Sequence, residues 1–320
     1  MVDSGNYDDA DKILTHIRTH YDKVKKSGWS GYVIDAAIVT HPDDDHIGGF
    51  VHILEDLQAG KLYDICFNCF WVNDPTKHEF VPNDVQRIQT QKSLDARLKC
   101  VYNYKEDSKK NLLDLIDSAG IARTEVFAGD YLDEPQITII SPTRDFYESL
   151  LPKFRNKLNF HWALEALEEN SYSSKDDISD ETTLSKTLDD ATDDTSAHNQ
   201  SSIVFLLETD EKQKFLFTGD AGRDAFNHVP QTLLGKVKDV TWMKVPHHGS
   251  KHNLDSTIIK HVNPEIAYIS TEKQGKYLNR STVFALKKNG TKVYSTSQNR
   301  STIRHGAIKT REGWTKIEPM

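Results

Sequence analysis

Thr40-His41-Pro42-Asp43-Asp44-Asp45-His46-Ile47-Gly48-Gly49 is the stretch on which the fold turns. Two imidazoles and three carboxylates lie within the six residues from His41 to His46. His41, Asp43 and Asp45 stand two apart, so an extended loop can turn all three side chains one way. Neutral imidazole and carboxylate both suit a divalent cation, whereas this many carboxylates packed together without one would cost repulsion and desolvation. Just upstream, Tyr32 to Val39 is a nearly continuous apolar run of buried-strand character. Open α/β sheets place their sites at such strand ends, and a solvated acidic turn rarely joins this histidine placement to a buried strand. Gly48 and Gly49 are expected to let the backbone turn tightly into the next helix.

Two further apolar strands end in donors. Phe215-Leu216-Phe217-Thr218-Gly219-Asp220 ends in a carboxylate, and Met243-Lys244-Val245-Pro246-His247-His248-Gly249-Ser250 ends in paired histidines. Alone, Asp220 would more often cap a helix, and a lone histidine pair would decide nothing. Three strand ends bearing ligands point to one metal-binding edge.

Working outward, short apolar runs recur at 65–72, 136–140, 203–207, 215–217, 240–245, 266–270 and 292–294. Helical patterns occupy 11–25, 83–97, 109–118, 255–262 and 282–288. The chain is expected to be α/β, one layered domain over 1–320 without internal repeat. Residues 143–198 break the pattern. Phe146, Tyr147, Phe154, Phe160 and Trp162 can dock the first half of this insertion. The second half, rich in Ser, Thr and Asp, is acidic and expected to be partly mobile.

Composition sets limits. The 320 residues, 37% of them hydrophobic, can bury one large core or two modest ones. No apolar stretch approaches the roughly 18 residues that span a bilayer, and residues 1–11 are polar and acidic, so no membrane partner and a cytoplasmic location are expected. Three cysteines are too few for a disulfide framework; Cys66 and Cys69 read as buried structural thiols. His16 and His20 lie one helical turn apart without a third ligand, as on an exposed helix face, and Trp71 and Trp242 read as core anchors. A net charge of −8 argues against coating nucleic acid by bulk electrostatics, but residues 236–316 carry 16 Lys and Arg against 5 Asp and Glu. Such a region can draw in a phosphorylated substrate, or be no more than a solvated basic surface.

In order and wording, these segments resemble the metallo-β-lactamase superfamily, especially its ComEC-like branch found in DNA-uptake channel proteins. The branch carries a His-x-Asp-x-Asp-His-x-Gly-Gly loop, an Asn-x-x-Ser strand start, a Thr-Gly-Asp and a His-His-Gly-Ser. Here His41 to Gly49, Asn199 to Ser202, Thr218 to Asp220 and His247 to Ser250 match them, and Val2-Asp3-Ser4-Gly5 resembles the superfamily's first motif. The resemblance implies an αββα sandwich with two divalent metal ions, Zn²⁺ or Mn²⁺, at one edge. One ion would take His41, Asp43 and Asn199 or its neighbour His198. The second would take Asp45, His46 and one of His247 and His248, with Asp220 bridging. The spare histidine would support the ligands from behind or donate a proton, and Ser250 and Lys251 would meet phosphate oxygens. The implied activity is metal-dependent hydrolysis of a phosphodiester or nucleic acid. A small ester, lactone or phosphonate is the alternative substrate, and a non-catalytic subunit binding a protein partner through the acidic insertion the alternative role. Two departures stand out. Tyr277-Leu278-Asn279-Arg280-Ser281 replaces the branch's Gly-His-Pro, and the first motif follows Met1 without the usual preceding edge strand.

Overall fold

A computed structural model describes residues 1–26, 28–78, 94–105, 107–154, 187–271, 278–298, 303–304 and 315–320. The chain is mixed α/β and divides into two compact units, one formed by Met1–Val126 with Asp145–Leu164, the other by Phe127–Arg144 with Glu165–Met320.

In the first unit, helix α1 (Ala10–His20) buries Ala10 and Leu14. The helical pattern continues towards Lys25, but the helix stops at His20. Beyond Leu14 the stripe has no core to face, for Tyr21 and Val24 are exposed, and Val24–Lys26 instead forms edge strand β1. The apolar run at 32–39 is shared by two strands, β2 (Trp29–Ile34) and β3 (Ala37–Ile38), which enter different sheets. The run at 65–72 divides likewise at Asn68 into β4 (Ile65–Phe67) and β5 (Cys69–Trp71), and β2 pairs with β4 as β3 pairs with β5, both parallel. The break is held by Asn68, whose N–H donates to Ile34 O and whose amide donates to Asp35. Strand β6 (Ala122–Thr124) completes the second sheet, and the N-terminus adds a parallel bridge from Val2 to Ile38 in β3.

Helix α2 (Asp44–Gln58) follows β3 and buries Ile47, Phe50, Val51, Ile53 and Leu54. Helix α3 (Leu112–Ser118) is shorter than the pattern at 109–118, because the Asn111 side chain accepts from Leu113 and Asp114 N–H and fixes its start. Helix α4 (Arg144–Leu150) docks through Phe146, Tyr147 and Leu150, followed by buried Phe154. Phe160, Trp162 and most of the helical pattern at 83–97 lie outside the described residues. Cys66 and Cys69 are partly exposed rather than buried, since they occupy the less covered side of β4 and β5.

The second unit is built on a seven-stranded sheet in the order β13-β12-β11-β10-β9-β8-β7. Its strands are β7 (Tyr131–Leu132), β8 (Gln136–Ser141), β9 (Val204–Glu208), β10 (Lys214–Phe217), β11 (Trp242–Lys244), β12 (Ile266–Ile269) and β13 (Lys292–Ser295). β7 to β10 run antiparallel to their neighbours, and β10 to β13 are parallel. Helix α5 (Ala197–Gln200) precedes β9; parallel neighbours need crossovers, and these carry α6 (Arg223–Asn227) and α7 (Gln231–Leu234) after β10 and α8 (Ser256–Val262) and α9 (Arg280–Lys288) between the last three strands. Leu216, Met243, Ala267 and Val293 are fully covered on one face. On the other, Phe217, Trp242 and Tyr268 form a row of tilted aromatic rings in contact, and Trp242 is an anchor only half buried. No described helix is long and apolar enough to cross a membrane.

Candidate metal centre

The first unit brings together His41, Asp43, Asp45 and His46. His41 and His46 are buried, with ring centroids 4.1 Å apart. Valence fixes their tautomers. Asp3 accepts from Thr40 N–H at 2.8 Å, from the Thr40 hydroxyl at 2.8 Å and from His46 Nδ1 at 2.8 Å. An ionised carboxylate only accepts, so His46 carries its proton on Nδ1. Thr40 has spent its one hydroxyl proton on Asp3 and therefore accepts from His41 Nδ1 at 3.0 Å. Both rings then turn a lone pair outward on Nε2, with His41 Nε2 3.7 Å from Asp43 Oδ2 and His46 Nε2 3.9 Å from Asp45 Oδ2. Ligand atoms that share a cation at about 2.1 Å stand roughly 3–4 Å apart, so these spacings fit one better than they fit hydrogen bonds. Burial favours the neutral form of Asp3, but the His46 and His41 imidazoles and the Thr40 N–H outweigh it and hold its pKa below the usual carboxylate range. Asp3 was legible only as part of a motif; its hold on both imidazoles is tertiary.

Asp43 is the N-cap of α2, and Asp44 and Asp45 occupy its first turn, where carboxylates complement the helix dipole. The expected one-sided alternation therefore ends at Asp43, and Asp45 reaches His46 from a helix rather than an extended loop. Asp44 instead accepts from Lys105 N–H at 3.1 Å. The role expected of Gly48 and Gly49 also changes, since both lie inside α2 and are buried. They let the Val2–Tyr7 segment press onto the helix: a Cβ at Gly48 would fall 2.7 Å from Asn6 C, and one at Gly49 would fall 3.0 Å from Ser4 Cβ and closer still to Ser4 O. That approach lets the Ser4 hydroxyl donate to His46 O at 2.9 Å and accept from Phe50 N–H at 2.7 Å, bridging a helical i, i+4 pair and carrying Asp3 to His46.

The second unit brings together Asn199, Asp220, His247 and His248. Asp220 follows β10 and is buried, its N–H donating to Ser202 Oγ at 3.0 Å. Its Oδ1 lies 3.3 Å from Lys244 Nζ and its Oδ2 3.6 Å from His248 Nε2. His248 Nδ1 donates to Ser270 O at 2.7 Å, leaving Nε2 with the lone pair. The backbone that aims these rings is strained. His247 and His248 have φ of +44° and +53°, a left-handed region that costs a non-glycine residue about 1–2 kcal/mol, and such outliers cluster at functional sites.

His247 Nδ1 lies 3.2 Å from Asp194 Oδ2 and 3.1 Å from Asn253 Oδ1, so it too carries the Nδ1 proton. Burial opposes its charged form, but the Asp194 bond and the Asp220 charge prevail and push the pKa up to about 9. Both His198 and Asn199 are buried on α5, and it is Asn199 that joins this cluster, through Nδ2 to Asp194 at 2.8 Å. Asn199 Oδ1 is buried and has no hydrogen-bond partner among the described residues. An orphaned buried carbonyl costs about 1–3 kcal/mol, a penalty that a bound cation would remove. Ser250 is buried and accepts from His252 N–H, while the half-buried Lys251 gives its carbonyl to Arg223.

Asp194 belongs to the stretch expected to be mobile, yet residues 187–198 are packed into the second unit. Buried Arg223 donates to Leu188 O, Ala191 O, Lys251 O and Leu254 O and pairs with Asp193 at 3.0 Å. His252 adds a bond to Thr192 O at 2.6 Å. Residues 155–186 of the expected insertion lie outside the described residues.

No family model matches the chain. Over 128 residues it is 30% identical to ComE operon protein 3 of Bacillus subtilis (strain 168), a stretch amounting to 39% of this chain and 16% of that protein, so it spans only a small part of that relative's length. Among solved structures it is similar to the metallo-beta-lactamase fold protein YhfI from Bacillus subtilis, at 10% identity over 77% of this chain and 75% of that one, with a TM-score of 0.29.

Proposed function

We propose that the chain is a metal-dependent hydrolase of the metallo-β-lactamase type, an αββα sandwich acting on phosphodiesters, nucleic acid foremost. One observation carries the metal: within the second unit, His248 Nε2 and Asp220 Oδ2 stand 3.6 Å apart beside a tautomer-fixing bond to Ser270 O, and the nearby Asn199 offers a buried oxygen without a hydrogen-bond partner among the described residues. The donor set fits a divalent cation, with imidazole and carboxylate but no thiolate. In the first unit His41, Asp43, Asp45 and His46, and in the second Asn199, Asp220 and His248, are the side chains that would offer ligands to such ions. Zn²⁺ or Mn²⁺ suits such oxygen-rich sets. When bound, two such ions supply a nucleophilic water near neutral pH and Lewis acidity towards phosphoryl oxygens.

The chain's own residues supply orientation and charge. Asp3 and Thr40 lock the first pair of imidazoles, and Ser270 O locks His248. His247, tied to Asp194, serves behind the ligands rather than among them, and Lys251 offers a cation to a phosphate oxygen. The resemblance of the motifs to those of DNA-uptake channel proteins and the excess of Lys and Arg over 236–316 favour a nucleic-acid substrate.

The experiment is a substrate panel of single-stranded DNA, double-stranded DNA, RNA and bis-p-nitrophenyl phosphate, each with Mn²⁺ and with Zn²⁺. Turnover of at least one phosphodiester is expected, falling by at least about 100-fold in His46→Ala and in Asp45→Ala. Turnover unchanged in both variants, or hydrolysis of lactones and esters alone, would overturn the respective part of the proposal.

A further inference from the structure

Asp194 is the most heavily bonded carboxylate near the second-unit donors, and nothing in its sequence context marks it. Its side chain is 8% exposed. Oδ1 accepts from Ser196 N–H at 2.8 Å, while Oδ2 receives Asn199 Nδ2 at 2.8 Å, Asn253 Nδ2 at 2.9 Å and His247 Nδ1 at 3.2 Å. We propose that Asp194 is a positioning residue whose carboxylate decides which atom Asn199 presents and, with Asn253, holds the Nδ1 proton of His247; this rests on the metal-hydrolase reading above.

The logic is one of valence. An amide can be turned end for end with little change of shape, and only its partners decide which end faces where. A carboxylate accepts and never donates when ionised, so Asn199 must give it the nitrogen and point Oδ1, the end able to bind a cation, the other way. Asn253 is turned by the same rule: its Nδ2 donates to Asp194 and to Asp220 O at 3.0 Å, leaving Oδ1 for His247. The Arg223 clamp on Leu188, Ala191 and Asp193, and the bond from Asp194 N–H to His252 O at 3.1 Å, hold the carboxylate in place. The two dependents differ. Without Asp194, His247 Nδ1 keeps Asn253 Oδ1 as acceptor, whereas among the described residues Asn199 Nδ2 is left with only His247 Nδ1 at 3.4 Å, which, protonated, cannot accept and so does not keep the oxygen outward. The loss should therefore fall on Asn199.

The test measures Mn²⁺ binding to the full chain by calorimetry and by the free-ion spin-resonance signal, with circular dichroism as the folding control. Asp194→Ala and the near-isosteric Asp194→Asn should weaken Mn²⁺ binding by about 10–100-fold, the usual effect of losing a residue that orients a ligand. Asn199→Asp alone should also weaken it, because two carboxylates would then face one another. The double variants Asp194→Ala/Asn199→Asp and Asp194→Asn/Asn199→Asp should recover most of the loss, since a carboxylate presents an oxygen either way up. A merely structural Asp194 would not be rescued by a change at 199. Where the alanine variant does not fold, the asparagine pair carries the test. Unchanged binding in the Asp194 variants, or no recovery in either double variant, overturns this proposal while leaving the metal-hydrolase reading intact. A wild-type chain that binds neither Mn²⁺ nor Zn²⁺ overturns both.

Discussion

Substituting Gly49 by alanine sets two effects of opposite sign against each other. Gly49 lies inside α2 with ordinary helical backbone, so propensity alone gives Gly49→Ala a gain of about 1 kcal/mol. The added methyl would meet Ser4 O and Ser4 Cβ, and the first is backbone that no rotamer change can clear. Overpacking of this kind costs about 1–3 kcal/mol. Displacing Ser4 also exchanges its two bonds, to His46 O and Phe50 N–H, for at best one helical bond between those groups, a loss of about 1 kcal/mol. The losses exceed the gain, for a net destabilisation of about 1–3 kcal/mol. Thermal unfolding followed by circular dichroism should show Tm lowered by roughly 3–10 °C. Because Asp3 is carried on the displaced segment, metal affinity should fall as well. A Gly49→Ala protein as stable as wild type, or more so, would refute the claim that close approach fixes this glycine.

Asp3→Asn should keep the fold but cut Mn²⁺ or Zn²⁺ affinity about 10–100-fold by calorimetry, because an amide cannot accept from Thr40 and His46 together as the carboxylate does. Arg223→Met should destabilise by at least about 3 kcal/mol in urea titration, since the buried carbonyls of Leu188 and Leu254 lose donors worth about 1–3 kcal/mol each and the half-buried ones of Ala191 and Lys251 lose theirs as well. His78 lies between Glu125 and Glu148, 2.9 Å from each, so both ring nitrogens must carry protons. Burial opposes that charge, but the carboxylates prevail and raise its pKa in the folded state. The stabilisation is then fully present below the unfolded value of about 6.5 and is lost as pH rises through the folded value. The stability gap between wild type and His78→Gln, measured by urea midpoints, should shrink as pH increases above about 6.5; a constant or widening gap would count against it.

The α/β class was legible because apolar runs and helical stripes alternate, and seven of the eight sequence-predicted ligands are recognisable as donors at strand ends or in the loop after one. Asn199 was legible only through its motif. Which sheet a strand joins was not legible, since the run at 32–39 is apolar on both sides of the break at Asp35 and the break is held by Asn68, between two strands distant in the chain. Nor was the purpose of Gly48 and Gly49, because glycine at a turn and glycine under a crossing chain read alike. Asp194 was hidden by averaging: a window rich in Ser, Thr and Asp reads as unpacked, while one carboxylate in it collects four donors. Of the adjacent histidines, His248 stands nearer the ligand geometry, a distinction made by Ser270 O and Asp194 and not by spacing.

Metal stoichiometry tests the central claim most directly. Equilibrium dialysis of the purified chain against Zn²⁺ and against Mn²⁺, read by elemental analysis, should give about two ions per chain for wild type and about one or fewer for His248→Ala. Wild type that retains no ion, or a His248→Ala protein that retains as many as wild type, would contradict the account.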